Sequence, residues 1–183
     1  MKRIIAIAGL TWVAATSPCL STNETRPAPL TAEQTAAKVV ARASDLERAG
    51  GRNSKRIYRR DDGTIRMLRL HEMQLSDREF QSLATMPELE VIDFSKTNIR
   101  NQHLAHYVRM PSIINLKLSS TAITDAGIKF LQRYPGLRSL CMGRVNVTQR
   151  AVDNLKSAHQ ARFARPRPIN IGYSRPKRAE PGD

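Results

Sequence analysis

Apolar residues return along this chain on a fixed beat. Four consecutive windows, starting at Ile65, Leu89, Ile113 and Leu137, align without a gap at a step of 24 residues. The fourth slot of each window holds Leu68, Ile92, Leu116 or Leu140, and the sixth holds Leu70, Phe94, Leu118 or Met142. Alternate residues of a strand point the same way, so the pattern predicts a short strand with these two columns facing one core. The eleventh slot adds Leu75, Ile99, Ile123 and Val147. Slots sixteen and nineteen carry Phe80 with Leu83, Leu104 with Tyr107, Ile128 with Leu131 and Val152 with Leu155. That three-residue spacing puts each pair on one face of a helix. Every window reads strand, turn, short helix, return, and a fixed period in the twenties is the pattern of a solenoid.

Polar residues punctuate the same windows. Ser76, Thr124 and Thr148 share the twelfth slot and are good N-cap residues, and Ser76 with Glu79 has capping-box spacing. The second window has Arg100-Asn101 there instead, so Asn101 is expected to cap. Pro87, Pro111 and Pro135 stop the first three helices and force an extended return. His159 stands where the fourth proline would be, and stacking is expected to loosen at that point.

The stretch "IINLKLSSTAITDAGIKFL" (Ile113 to Leu131) resembles the leucine-rich repeat family, above all the 24-residue repeats of secreted bacterial proteins. It is also similar to the repeats of ubiquitin-ligase substrate receptors, but no F-box-like segment precedes the windows. The resemblance covers residues 65–160. It implies an α/β fold: a leucine-rich repeat solenoid with a parallel concave sheet, convex short helices, an N-terminal helix-hairpin cap, and binding rather than catalysis.

A stack of such units needs covered ends, because each hides its apolar face only against a neighbour. Residues 31–64 supply the first cover. Ala36, Val39, Val40, Ala43 and Leu46 lie at helical spacing, Thr31 with Gln34 gives a cap signature, and Gly50-Gly51 ends the run. Lys55–Arg60 and Thr64–Leu70 then flank Asp62-Gly63, a favoured hairpin turn. At the far end, residues 161–183 form a basic, Pro-rich tail or partial cap in which Ile169-Asn170-Ile171 offers one last strand. Residues 19–30, with Pro27 and Pro29, read as a linker.

Residues 1–18 read as an export signal. Lys2 and Arg3 precede an apolar stretch of twelve residues, Ile4 to Ala15, too short to span a bilayer as a helix. The expected location is therefore secreted or in the cell envelope or periplasm, with no transmembrane span in the mature chain. Cys19 raises a second outcome, a lipid anchor, but Thr16-Ser17-Pro18 fits a small-residue lipobox poorly, so cleavage without lipidation is expected.

Composition narrows the function classes. Aromatic residues are only 5% of the 183, so the core must be aliphatic, and the formal charge is +14. Outward strand slots form rows: Met67, Val91, Asn115 and Ser139; Arg69, Asp93, Lys117 and Cys141; His71, Ser95, Ser119 and Gly143. With strands about 4.8 Å apart, Arg69, Asp93 and Lys117 are expected to form a ladder of alternating charge. An enzyme is not expected. His71 and Cys141 sit three strands apart, about 14 Å by that spacing, whereas a catalytic pair needs hydrogen-bond reach. His103 and His106 make half a metal site at best, and no cofactor or metal motif is present. The expected function is a non-enzymatic interaction module binding a protein through Arg69, His71, Asp93, Ser95, Asn115, Lys117 and Ser119. The alternative is an anionic polymer or surface (nucleic acid, acidic polysaccharide, lipid headgroups) bound through Arg56, Arg59, Arg60, Arg162, Arg165 and Arg167. No aromatic interleaving accompanies those clusters, so nothing in them reads bases.

Overall fold

A computed structural model describes residues 29–50, 55–162 and 169–174 of the chain. The export signal, Cys19, most of the linker, Gly51, the segment 163–168 and the last nine residues lie outside the described residues. The elements run α1 (Ala32–Ala49), β1 (Ile57–Arg59), β2 (Ile65–Arg69), α2 (Asp77–Leu83), β3 (Val91–Asp93), α3 (Asn101–Leu104) with a 3-10 turn (Ala105–Tyr107), β4 (Asn115–Lys117), α4 (Asp125–Leu131), β5 (Ser139–Gly143), α5 (Gln149–Arg162) and β6 (Asn170–Ser174). They make an α/β fold in which the six strands lie side by side in chain order. β1 is antiparallel to β2, and every later pair is parallel.

The 24-residue beat reappears as strand register. Met67 faces Val91, Val91 faces Asn115 and Asn115 faces Ser139. The beat breaks at the last strand, where Ser139 faces Asn170, because the 14-residue α5 is twice as long as α2 or α4. All the aliphatic slots read above from Leu68 to Leu155 are buried in one continuous core. Each such Leu or Ile contributes about 1.5–3 kcal/mol by leaving water. Two tyrosines bury their rings and donate their hydroxyls backwards along the stack, Tyr107 to the Phe80 carbonyl and Tyr134 to the Leu104 carbonyl, each at 2.7 Å.

Strands β2 to β5 leave the sheet through the same corner. Glu72, Lys96, Ser120 and Arg144 all adopt left-handed backbone, with φ of 65°, 57°, 56° and 57°. At the first three corners the N–H still bonds across to the next unit, to the carbonyls of Ser95, Ser119 and Gly143. This ladder bond holds each corner in a conformation that costs an L-residue about 1–2 kcal/mol.

The first cover forms as expected: Thr31 caps α1 in a capping box with Gln34, and β1 and β2 join through a turn in which Gly63 has φ +85°. Four expectations are corrected. Leu46 is 43% exposed, because the 18 residues of α1 outrun the seven of α2 against which it packs. Asn101 does not cap its own helix, since its amide turns sideways to Thr124 of the next unit. Thr124 makes no side-chain cap either. Stacking does not loosen at His159: the ring is buried and donates from Nε2 to the Leu131 carbonyl at 3.2 Å, and α5 runs straight through.

Candidate functional site

Strand alternation sends the fourth and sixth slots into the core, so the third, fifth and seventh line the opposite, open face of the sheet. On β2, β3 and β4 this face gathers Arg69, His71, Glu72, Asp93, Ser95, Lys96 and Lys117 around a depression of about 380 Å³. Five of the seven residues expected to bind a partner line it. The other two, Asn115 and Ser119, sit on β4 and just beyond it on the same face. Asn115 Oδ1 is buried and has no hydrogen-bond partner among the described residues. Ser119 Oγ accepts from the Gly143 N–H at 3.1 Å and lies 3.5 Å from the free thiol of Cys141.

The expected charge ladder forms on one rung. Lys117 Nζ stands 3.6 Å from Asp93 Oδ2, while Asp93 Oδ1 accepts the Ser95 N–H at 3.0 Å. Arg69 does not join it. Its guanidinium lies 5.2 Å from the Tyr58 ring centroid, on the far side from Asp93, and Nη1 donates to the Lys55 carbonyl at 3.3 Å. Lys55 Nζ lies 4.7 Å from the centroid of the same ring. The cause is the hairpin: antiparallel pairing sets Tyr58 opposite Met67 on the open face, and an aromatic ring attracts a guanidinium.

Arg56, expected as part of an anion-binding flank, instead supports this site. Its Nη1 donates to the His71 carbonyl at 2.9 Å and lies 3.5 Å from His71 Nδ1. A nitrogen facing a guanidinium must accept, so the His71 proton belongs on Nε2. Burial first, and the Arg56 charge second, hold the His71 pKa below its ordinary value. Glu72 and Lys96 were not among the expected site residues, yet they pair at 2.7 Å across adjacent units. The hydrogen bond from Lys96 holds the Glu72 carboxyl below its usual range. Their signal was present in the sequence as opposite charges in the same eighth slot of successive windows.

Two more residues of the expected anion-binding set are engaged within the chain. Arg59 donates to the Gly63 carbonyl, and Arg60 pairs with both Glu88 and Glu90. The side chains of Arg162, Arg165 and Arg167 lie outside the described residues. His71 and Cys141 stand on β2 and β5 sides of the sheet with β3 and β4 between them. His103 is a buried structural residue: it stacks on Phe80, accepts from the Arg100 N–H through Nδ1 and donates through Nε2 to Asp77 at 2.9 Å. Among the described residues no group of three His, Cys, Asp or Glu is positioned to hold a metal ion, and no helix is long and apolar enough to cross a membrane.

No protein-family model matches the chain, and no curated protein does. Among solved structures, one described as "Leiomodin-1 Actin-Binding Site 2 (ABS2)" is similar at a TM-score of 0.47 and 12% identity, over 80% of this chain and 81% of that one.

Proposed function

We propose that this chain is an exported leucine-rich repeat protein, a short solenoid that binds a partner protein without catalysing a reaction. The beat of 24 residues recurs both in the sequence and as strand register, which supports the repeat reading. The export reading rests on the basic, then apolar, first fifteen residues. The observation that carries the binding reading is the depression on the open face. Successive units there bring Arg69, His71, Asp93, Ser95 and Lys117 to one surface around a depression of about 380 Å³. Charged and polar groups held on rigid strands select a partner more by complementarity than by raw affinity.

A photo-crosslinking residue at Ser95 tests this in the organism of origin, with the same probe at Lys129 on the helix side as control. The reading predicts a discrete protein adduct from position 95 alone. Equal adducts from both positions, or none from either, overturn it.

A further inference from the structure

The open-face depression holds both signs of charge, but the two are not equally available. Glu72 is held by Lys96 at 2.7 Å, and Asp93 is only 8% exposed, with one oxygen on the Ser95 N–H and the other near Lys117. Asp93 therefore offers an incoming cation little, and Glu72, though 57% exposed, is already neutralised by Lys96. The cations differ. Among the described residues the Arg69 guanidinium makes no ion pair, and its hydrogen bond to the Lys55 carbonyl is long at 3.3 Å. Lys117 holds Asp93 loosely at 3.6 Å and keeps 39% of its side chain exposed. Arg56 adds a further positive charge behind His71. The Tyr58 ring, its centroid 5.2 Å away, steadies the Arg69 guanidinium, and a planar fork held in that way is suited to a carboxylate.

Resting on the open-face reading, we propose that the depression docks an acidic, extended segment of the partner protein, with one carboxylate on Arg69 and a second on Lys117. The spacing follows from the sheet. Arg69 faces Asp93 and Asp93 faces Lys117, so the two backbones stand two strand steps apart, about 9.6 Å, and the lean of Arg69 toward Tyr58 sets its charged group somewhat farther out. In an extended segment of polyproline II form, at three residues per turn and about 3.1 Å rise, residues three apart point the same way and lie about 9.3 Å apart. An acidic residue, two spacers and a second acidic residue would therefore straddle Asp93.

The probe is a displayed library of random twelve-residue peptides, panned on the full chain and counter-selected on Ser95→Tyr, whose ring fills the hollow. Ser119→Tyr serves as a second block should the first variant misfold by circular dichroism. The proposal expects parent-specific peptides carrying Asp or Glu three residues apart. Arg69→Gln and Lys117→Gln should each weaken them about tenfold in fluorescence anisotropy, the effect of one charge-assisted hydrogen bond. A control that removes twice that charge on the other side, Arg109→Ala with Lys129→Ala, should change binding less than about twofold. Face-dependent peptides that are neutral or basic, or acidic but indifferent to Arg69 and Lys117, overturn the acidic segment and leave the open face standing. Peptides weakened equally by the control pair report net charge alone and also overturn it. If no peptide distinguishes parent from blocked chain, the open-face reading falls with it.

Discussion

Asn101 and Thr124 are joined by two hydrogen bonds across adjacent units. Thr124 N–H donates to Asn101 Oδ1 at 3.0 Å, and Asn101 Nδ2 donates to Thr124 Oγ at 2.8 Å. The start of one helix is thus tied by the helix before it. One unit further on, Asp125 accepts from both the N–H and the hydroxyl of Thr148, at 2.7 and 2.8 Å. Asn101→Ala removes both bonds and should cost about 0.5–2 kcal/mol, the range of a lost cap. Asn101→Asp should stay near the parent, since the Thr124 hydroxyl can turn to donate as Thr148 does. Urea unfolding of the two variants checks the contrast; equal losses would mean the amide acts only by filling space.

The returns between units meet at Gly136. A Cβ built there would come 2.1 Å from the Pro111 carbonyl oxygen and 3.1 Å from that of Ile113. Backbone on both sides leaves no flexible side chain to yield. Gly136→Ala should therefore destabilise by about 1–3 kcal/mol, the range for overpacked cores, with a matching fall in the urea midpoint.

The aliphatic slots were legible because a strand and a helix each impose one period, and the fold repeats both four times. The hairpin turn and the Thr31 cap were legible for a similar reason, since their chemistry is local. What escaped depends on contacts between units. Asn101 was read as a cap because the sequence does not tell whether its amide serves its own helix or the next. Arg69 was read into a ladder with Asp93 from the parallel strands alone, whereas Tyr58 on the antiparallel neighbour draws it away. His159 replaces a proline without harm because a buried carbonyl, Leu131, stands within reach of its ring.

His71 makes stability depend on pH. Its folded pKa lies below the ordinary value of 6.5, from burial first and Arg56 second, opposed by the Asp93 and Glu72 carboxylates. The unfolded chain therefore binds the proton more readily, and the group's contribution is complete above about 6.5 and is lost as pH falls through the folded pKa. Glu72 and Glu90 have pKa values lowered by hydrogen bonds from Lys96 and Arg66 and add a separate loss below the usual value of 4.5. The melting temperature of the parent should fall between pH 7 and pH 5, while that of His71→Asn stays flatter there and joins the same decline below about 4.5. Parallel curves throughout would mean that His71 titrates as a free imidazole.

The left-handed corners carry the last prediction. Ser120, at φ 56°, bonds through its N–H to the Gly143 carbonyl at 2.7 Å. Its side chain takes no part in that bond, so glycine can replace it without losing the ladder. Glycine removes the clash of Cβ with the carbonyl, worth about 1–2 kcal/mol, and loses roughly 0.5–1 kcal/mol through the freer unfolded chain. Ser120→Gly should thus be neutral or stabilising by up to about 1.5 kcal/mol, whereas Ser120→Val, branched at Cβ, should be clearly destabilising. The two melting temperatures should fall on opposite sides of the parent or, at the least, in that order. A valine variant as stable as the glycine variant would mean that the corner relaxes out of the left-handed region, and that the ladder bond from Ser120 to Gly143 is not what holds it there.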